Sequence, residues 1–405
     1  MDWSDTAEQA TFRTEVRDLI TSGLPDRYRA MAASGDGGFG SWQEDRVSEN
    51  DAHRKDASDW AAALSEKGWI APHWPEEYGG ASMGAMEQFI FNQEMAASGA
   101  PNVGGSAVSM LGPVLIIHGT DAQKAEHLPK ILSGDAVWAQ GYSEPGSGSD
   151  LASLQTRAVH DGDDYVINGQ KIWTSGAHNA DMLFALVRTD PEAPKHRGIS
   201  FLIFDRNAPG VTVRPLINMG WEHGFNETFF EDVRVPADAL IGEENRGWYV
   251  GATLLDFERS NISGAISSRR SIDALLTYLG SDDGQAKSNM TPAVRSEVAD
   301  RFVETEVLFN FSFRIISMQA NGQIPNYEAS TSKLFNSELS QDLSLTGTHA
   351  FGLYANLWKD EEGRAPLGGR YTRSYVGAVS ATIAAGTSEI QRNIIATRGL
   401  GLPRG

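Results

Sequence analysis

Cysteine is absent from the 405 residues, which excludes disulfides, thiolate metal sites and thiol nucleophiles together. Long apolar runs are missing as well: 40% of the residues are hydrophobic, yet no stretch reaches the ~18 residues that a membrane span needs. The opening Met1-Asp2-Trp3 carries no charged-then-apolar leader, so a soluble cytoplasmic protein is expected. Basic charge is scarce, with 34 Lys and Arg against 53 Asp and Glu and a formal net charge of −19. Such a surface repels nucleic acid and anionic membranes, and neither is expected as a partner. The nine histidines show no metal-ligand spacing. No Ser–His–Asp arrangement can be picked out by order, and no Gly-x-Gly-x-x-Gly follows a strand.

What is present reads as two to three domains. The pattern predicts helix through most of Thr6 to Leu132, with Glu15, Arg17 and Asp18 set against Phe12, Val16 and Leu19. A second helix is expected from Ala52 to about Lys67, after a Gly-rich loop at 34–41. Another is expected from Ala85 to Ala97, and a buried one from Val108 to Ile117, ended by Gly119. Period-2 alternation dominates from about Val137 to Ile241. It predicts strands at Met182–Arg188, Ile199–Phe204, Val211–Ile217 and Thr228–Val233, and a hairpin turn at Asn168-Gly169. Thr291-Pro292 then opens a long amphipathic helix that closes at Asn321-Gly322. The fold class is therefore α+β: an N-terminal α-helical domain (1–135), a middle β-sandwich or barrel domain (136–243) and a C-terminal α-helical bundle (244–405).

Three stretches carry chemistry. Gln140-Gly141-Tyr142-Ser143-Glu144-Pro145-Gly146-Ser147-Gly148-Ser149-Asp150 is crowded with glycine and hydroxyls. It reads either as a plain turn or as a cradle whose N–H groups and hydroxyls converge on an anionic group. Downstream, Trp173 is either a core aromatic on a strand or, with Thr174 and Ser175 as exposed hydroxyls, the edge of a ring-binding surface. Near the end, Ala384 to Arg392 starts a helix with Thr387 or Ser388 as N-cap, an ordinary cap or a seat for a polarised oxygen. Glu258 falls four residues from both Leu254 and Ile262, on the apolar stripe of its own helix. It is either a structural carboxylate paired with arginine or a base that desolvation makes more basic.

Together the Gly119-ended helix before Thr120, Ser143-Glu144-Pro145, Asn168-Gly169-Gln170-Lys171-Ile172-Trp173 and Gly386-Thr387-Ser388-Glu389-Ile390-Gln391-Arg392-Asn393 resemble the acyl-CoA dehydrogenase family. The resemblance spans nearly the whole chain and implies FAD between the β-domain and the C-terminal bundle. Tyr142, Ser143, Gly148 and Ser149 would contact flavin and phosphates, with Trp173, Thr174 and Ser175 against the isoalloxazine ring and Thr387 and Glu389 as further contacts. The implied reaction is α,β-dehydrogenation of an acyl-CoA: a carboxylate takes the α-proton and the β-hydrogen leaves as hydride to flavin N5. The backbone N–H of Ala385 and the FAD ribityl 2′-hydroxyl would stabilise the thioester oxygen. Ser149 and Arg259 would touch substrate, and an electron-transfer flavoprotein would take the electrons. Pocket depth is expected to depend on Phe89, Met110 and Leu111.

Departures from the family pattern sharpen the expectation. Many members carry the catalytic glutamate immediately before Gly-Thr, where this chain has Ala385. Leu255-Asp256-Phe257-Glu258-Arg259 instead fits the Leu-x-x-Glu-Arg helix of another branch, which makes Glu258 the base. The Arg-x-x-Phe-Gly segment that reaches a neighbouring subunit's FAD is replaced by Gly280-Ser281-Asp282-Asp283-Gly284-Gln285-Ala286-Lys287. Gln341-Asp342-Leu343-Ser344-Leu345-Thr346-Gly347 has lost most glycines of the Gln-x-x-Gly-Gly-x-Gly segment. The resemblance is thus to the heteromeric branch that acts on bulky or steroid side-chain acyl-CoAs, as an α2β2 assembly with a homologous subunit; a homo-oligomer is the alternative. A non-catalytic subunit and a flavin oxidase or monooxygenase on the same fold are rival readings.

Overall fold

The computed structural model describes residues 4–34, 41–252, 262–359 and 363–403. Among the described residues seven α-helices come first: α1 Ala7–Gly23, α2 Asp26–Ser34, α3 Ser41–Arg46, α4 Asp51–Ser65, α5 Ala85–Ser98, α6 Gly112–His118 and α7 Asp121–Leu132. Seven strands follow: β1 Trp138–Gly141, β2 Arg157–Asp161, β3 Asp164–Lys171, β4 Met182–Arg188, β5 Ile199–Asp205, β6 Val211–Leu216 and β7 Phe225–Pro236. The chain then returns to helix with α8 Gly247–Ala252, α9 Ile262–Gly280, α10 Asp282–Ala286, α11 Pro292–Ala320, α12 Tyr327–Phe351, α13 Arg370–Gly377 and α14 Ser388–Ile394. Helical N- and C-terminal regions thus flank a middle sheet, the α+β order that the sequence predicts. Among the described residues no helix is long and apolar enough to cross a membrane.

Local chemistry sets the helix ends. Thr6 and Thr120 each accept from the backbone N–H three residues on, and Gln9 and Gln123 reach back to them, satisfying donors that the first turn leaves open. Thr291 caps α11, with Pro292 at its first position. The apolar segment expected as one helix divides in two: a π-type turn at Ala107–Leu111 leads into α6, and Gly119 closes it.

The chain forms two compact units. One comprises residues 1–37, 84–100 and 259–405, and its core joins Phe89 of α5 to Ile262, Ala265 and Ile266 of α9, Leu308 and Ile316 of α11 and Leu339 of α12. Glu94 of α5, almost buried, receives Arg13 at 2.6 Å and Arg17 at 2.8 Å from α1. The other unit comprises residues 38–83 and 101–258 and contains the sheet. There the indole N–H groups of Trp42, Trp60 and Trp74 donate to the carbonyls of Ala57, Pro101 and Val108, so each buried ring brings its own polar atom a partner.

The sheet runs β1-β4-β2-β3-β7-β6, with β5 pairing the other edge of β4. β4 pairs parallel with β1 and antiparallel with β5, and both β4 and β5 are buried almost throughout, which matches their unbroken apolar runs. One expectation fails here. Asn168-Gly169 is not a turn but lies inside β3, opposite a bulge where Asp232 of β7, at φ +50°, is the extra residue. Asn168 bonds to Asp232 through both Nδ2 and Oδ1, at 3.0 Å each, and that pairing stabilises the bulge. Gly169 is needed for close approach, because a Cβ there would meet Thr156 Oγ1 at 2.6 Å. The hairpin turn sits earlier, at Gly162-Asp163, where Gly162 takes φ +69°.

Gly112, at the start of α6, lies under the Trp74 ring: a Cβ there would fall 1.7 Å from Cζ2. Trp74 is 1% exposed and tethered by its indole N–H, so it cannot retreat. Gly112→Ala is expected to cost about 1–3 kcal/mol, read as a lower urea midpoint; an unchanged midpoint would contradict this packing.

Candidate functional site

The glycine- and hydroxyl-rich loop after β1 is fixed by a buried ion pair. Lys171, the last residue of β3 and 0% exposed, places Nζ 2.8 Å from Glu144 Oε1 and 3.1 Å from the Tyr142 carbonyl. Glu144 also accepts from the backbone N–H groups of Gln155 at 2.5 Å and Thr156 at 2.9 Å. Burial alone would raise the Glu144 carboxyl. The Lys171 ammonium and these hydrogen bonds outweigh it and hold the carboxyl below the ordinary range. Burial pushes Lys171 down to about 8, with Glu144 pulling the other way, so both are charged at neutral pH. Arg188, at the end of β4, closes the loop's far side by donating to the carbonyls of Ala152, at 2.6 Å, and Leu154, at 3.3 Å.

With the loop's path set from beneath, its ligand-type groups are left over. The Ser143 carbonyl accepts from Ile172 N–H at 2.9 Å, and Ser147 donates to the carbonyl of Asp150 at 2.7 Å. Ser147 is therefore structural, whereas the hydroxyls of Ser143 and Ser149 have no partner among the described residues. Gly148 and Ser149 are exposed. Neither Gly146 nor Gly148 takes a left-handed φ, and a Cβ at either would meet nothing within 4 Å. Tyr142 turns its ring inward, edge-on to Phe184 and Phe201, with its buried hydroxyl unpartnered.

Beside this loop, β3 ends in a strained turn. Trp173 has φ +60° and is 53% exposed, its ring meeting Phe225 edge-on at 5.8 Å. It is therefore neither a core aromatic nor on a strand. Ser175 is exposed as expected, but Thr174 is fully buried and its Oγ1 has no partner, which corrects the expectation of two exposed hydroxyls. A buried orphan hydroxyl costs about 1–3 kcal/mol unless something satisfies it.

The third stretch lies in the other unit. Thr387 caps α14 by accepting from Ile390 N–H at 3.2 Å, and Glu389 is exposed in the first turn. Ala385 has φ +53°, is exposed, and its N–H has no acceptor among the described residues. Its carbonyl accepts from Gln391 Nε2 at 3.1 Å, and Gly386's from Lys333 Nζ at 2.7 Å, so two side chains hold the backbone that aims this N–H. Glu258 and Arg259 lie outside the described residues. Phe89 and Leu111 are core residues at 1% and 0% exposure, and Met110 is half-buried.

Family models for the acyl-CoA dehydrogenase N-terminal, middle and C-terminal domains match residues 6–135, 139–233 and 245–400. Acyl-CoA dehydrogenase FadE26 of Mycobacterium tuberculosis is 36% identical over 99% of this chain and 98% of its own length. The chain belongs to the acyl-CoA dehydrogenase family. Acyl-CoA dehydrogenase IpdE1 of the same organism is 34% identical over 97% of both proteins. Two solved structures align over the full length of both chains at 34% identity. One is a steroid ACAD, Tcur3481-Tcur3483, with a TM-score of 0.84, and the other is the ChsE4-ChsE5 complex from Mycobacterium tuberculosis, at 0.80.

In the sheet-containing unit, open space where glycine has no internal reason, free serine hydroxyls, a buried orphan threonine hydroxyl and an outward-facing indole are features that a bound FAD would fit; in the other unit the corresponding feature is the free Ala385 N–H. Sequence reasoning gave Glu144, Lys171, Arg188, Lys333 and Gln391 no role. A signal existed for Lys171, because period-2 spacing places it with Tyr165 and Ile167 on the inward face of β3, where a lysine requires an anion.

Glu144→Gln leaves Lys171 buried without a counter-charge and is expected to cost about 3–5 kcal/mol. In the wild type, the stability due to Glu144 is complete above its ordinary value of 4.5 and is lost as pH falls through its lower folded value. Urea unfolding across acid pH should show that slope in the wild type and not in the variant; equal slopes would refute the pairing.

Proposed function

We propose that this chain is a FAD-dependent acyl-CoA dehydrogenase that introduces a double bond between Cα and Cβ of a bulky, steroid-type acyl-CoA, with Glu258 as base. The observation that carries the reading is the strained, outward-facing Trp173 turn beside the Lys171–Glu144-anchored loop, within a chain whose whole length matches the family. Bound FAD would supply the acceptor for the two electrons removed. Ser143, Gly148 and Ser149, with the backbone of Tyr142, would hold it from the loop. Trp173, Thr174 and Ser175 would hold it from the turn, and Thr387 and Glu389 from the C-terminal stretch.

Glu258 takes the α-proton, and the Ala385 N–H stabilises the charge that then develops on the thioester oxygen. The left-handed backbone at Ala385 frees that N–H, and Ala385 carries no carboxylate, which leaves the proton-accepting role to Glu258. Ser149 and Arg259 bind substrate in this reading.

Pairing with a homologous chain, as an α2β2 assembly, is supported by the two-chain names of the similar structures and by the altered segments at 280–287 and 341–347. Gly347, a glycine that remains, serves the chain's own core, since a Cβ there would meet the Tyr371 ring at 2.0 Å. An electron-transfer flavoprotein is the proposed electron acceptor. The alanine at 385 favours a second reading, a subunit that completes a partner's site without catalysing, and the same experiment separates the two.

Co-expressed with a homologous partner, Glu258→Gln should retain flavin but bleach at least about 100-fold more slowly on addition of acyl-CoA. Bleaching at the wild-type rate would sink the assignment of Glu258 and favour the non-catalytic reading. Gly148→Val should leave the unfolding free energy within about 0.5 kcal/mol yet lower the flavin retained through gel filtration. Full retention would show that Gly148 does not face the cofactor.

A further inference from the structure

The Trp173 turn is held by three side chains outside the motifs described above. Thr174 N–H donates to the carbonyl of Asn226, on β7, at 3.0 Å, and Asn226 Nδ2 donates back to the Thr174 carbonyl at 3.0 Å. Asn226 is 0% exposed, so its remaining amide valences must be met inside the protein. A carbonyl oxygen only accepts, and this fixes the amide with its nitrogen towards the turn. The second hydrogen on Nδ2 faces His178 Nδ1 at 3.1 Å, so that ring nitrogen is an acceptor and carries no proton. Asn226 Oδ1 faces His223 Nε2 at 2.9 Å, so that nitrogen is the donor. The two imidazoles stack with centroids 3.9 Å apart and planes 25° from parallel.

Every valence of Asn226 is satisfied in one protonation pattern only. A proton on His178 Nδ1 would point an N–H at the Asn226 NH2. Rotating the amide to meet it would turn Oδ1 against the Thr174 carbonyl and Nδ2 against the His223 donor. Both alternatives cost a bond to the turn, and the turn is where an L-residue, Trp173, sits at φ +60°.

The charged groups around His178 oppose that proton. Burial is the largest effect, followed by His223 across the stack, with Arg206 also unfavourable. Together they place His178 below its ordinary value of 6.5. Arg206 is anchored behind it by Nε donating to the Ala180 carbonyl at 3.0 Å. Glu222, next to His223, accepts from Asn218 Nδ2 at 3.3 Å. Among the described residues no carboxylate forms an ion pair with His178.

We propose that His178 and His223, coupled through Asn226, are positioning residues for the Trp173 turn, and that one proton on His178 releases it. The inference concerns the turn itself and stands whether or not a flavin lies against it.

The test is fluorine NMR of the full chain labelled with 5-fluorotryptophan, with the Trp173 resonance assigned by its loss in Trp173→Phe. As pH falls from neutral, that resonance should shift with a midpoint below about 6.5, while tryptophans remote from the turn stay in place. His178→Asn keeps an acceptor near the Nδ1 position but cannot titrate, so its Trp173 resonance should hold the neutral-pH position throughout. His178→Ala should show the released position at every pH. A Trp173 resonance that stays still in the wild type until the whole spectrum collapses would overturn the proposal, as would one that titrates unchanged in His178→Asn. If His178→Asn does not fold, His223→Gln, which keeps a donor near Nε2, decides alongside the wild type. Titration of Trp173 in both supports the clasp, and its absence from either refutes it.

Discussion

The buried Lys171–Glu144 pair is the interaction on which the sheet-side surface depends. It binds the end of β3 to the loop after β1 and collects the Tyr142 carbonyl and the Gln155 and Thr156 N–H groups around two opposite charges. Replacing such a pair by apolar groups of equal volume is often neutral in free energy, so its particular contribution is direction rather than stability. The loop backbone can follow one path because five polar groups meet at one place. With the path fixed from inside, the outer face keeps unused hydroxyls and open space, which a self-satisfied turn would not have.

The elements were largely legible where one periodicity operates alone. The strand at Met182–Arg188 has the predicted bounds, and the long helix opens at Thr291-Pro292 and closes at Asn321 as expected, because apolar alternation and cap chemistry act locally. The reading failed where a local signal met a tertiary partner. Asn168-Gly169 carries a hairpin signature, but Asp232 lies across the sheet to receive the Asn168 amide, and Asp-Gly at 161–162 offers an equally good turn seven residues earlier. Trp173 illustrates the same limit, since its apolar character suggests a core position while the bonds from Asn226 to Thr174 hold the backbone in a left-handed turn that expels the ring.

The stretches proposed for the site come from motifs, and the supports beneath them had no such signal. Ser143, Gly148, Ser149, Ser175 and Thr387 are exposed or half-buried, while the residues that hold their stretches come from far along the chain. Glu144 lies 27 residues from Lys171, Asn226 lies 52 from Thr174, and Lys333 lies 53 from Gly386. No local pattern reports such pairings. The exception is a charged or amide residue in an inward strand register, as with Lys171 and Asn226, which announces that a partner exists without saying which.

The glycines separate internal from external causes. At Gly112, Gly169 and Gly347 the protein's own atoms lie where a Cβ would be, so the fold alone demands glycine. At Gly146 and Gly148 the fold demands nothing: φ is accessible to any residue, and the space beyond Cα is empty within 4 Å. Glycine there loses backbone entropy on folding with no return in packing. Glycine at the rim of such a loop leaves room for a ligand to approach the backbone, as the proposed flavin site needs. The same reasoning applies to Trp173 and Ala385, two side chains kept in left-handed conformations that glycine would adopt more readily. Each lies in a stretch where the strain turns a group outward, an indole in one unit and an N–H in the other.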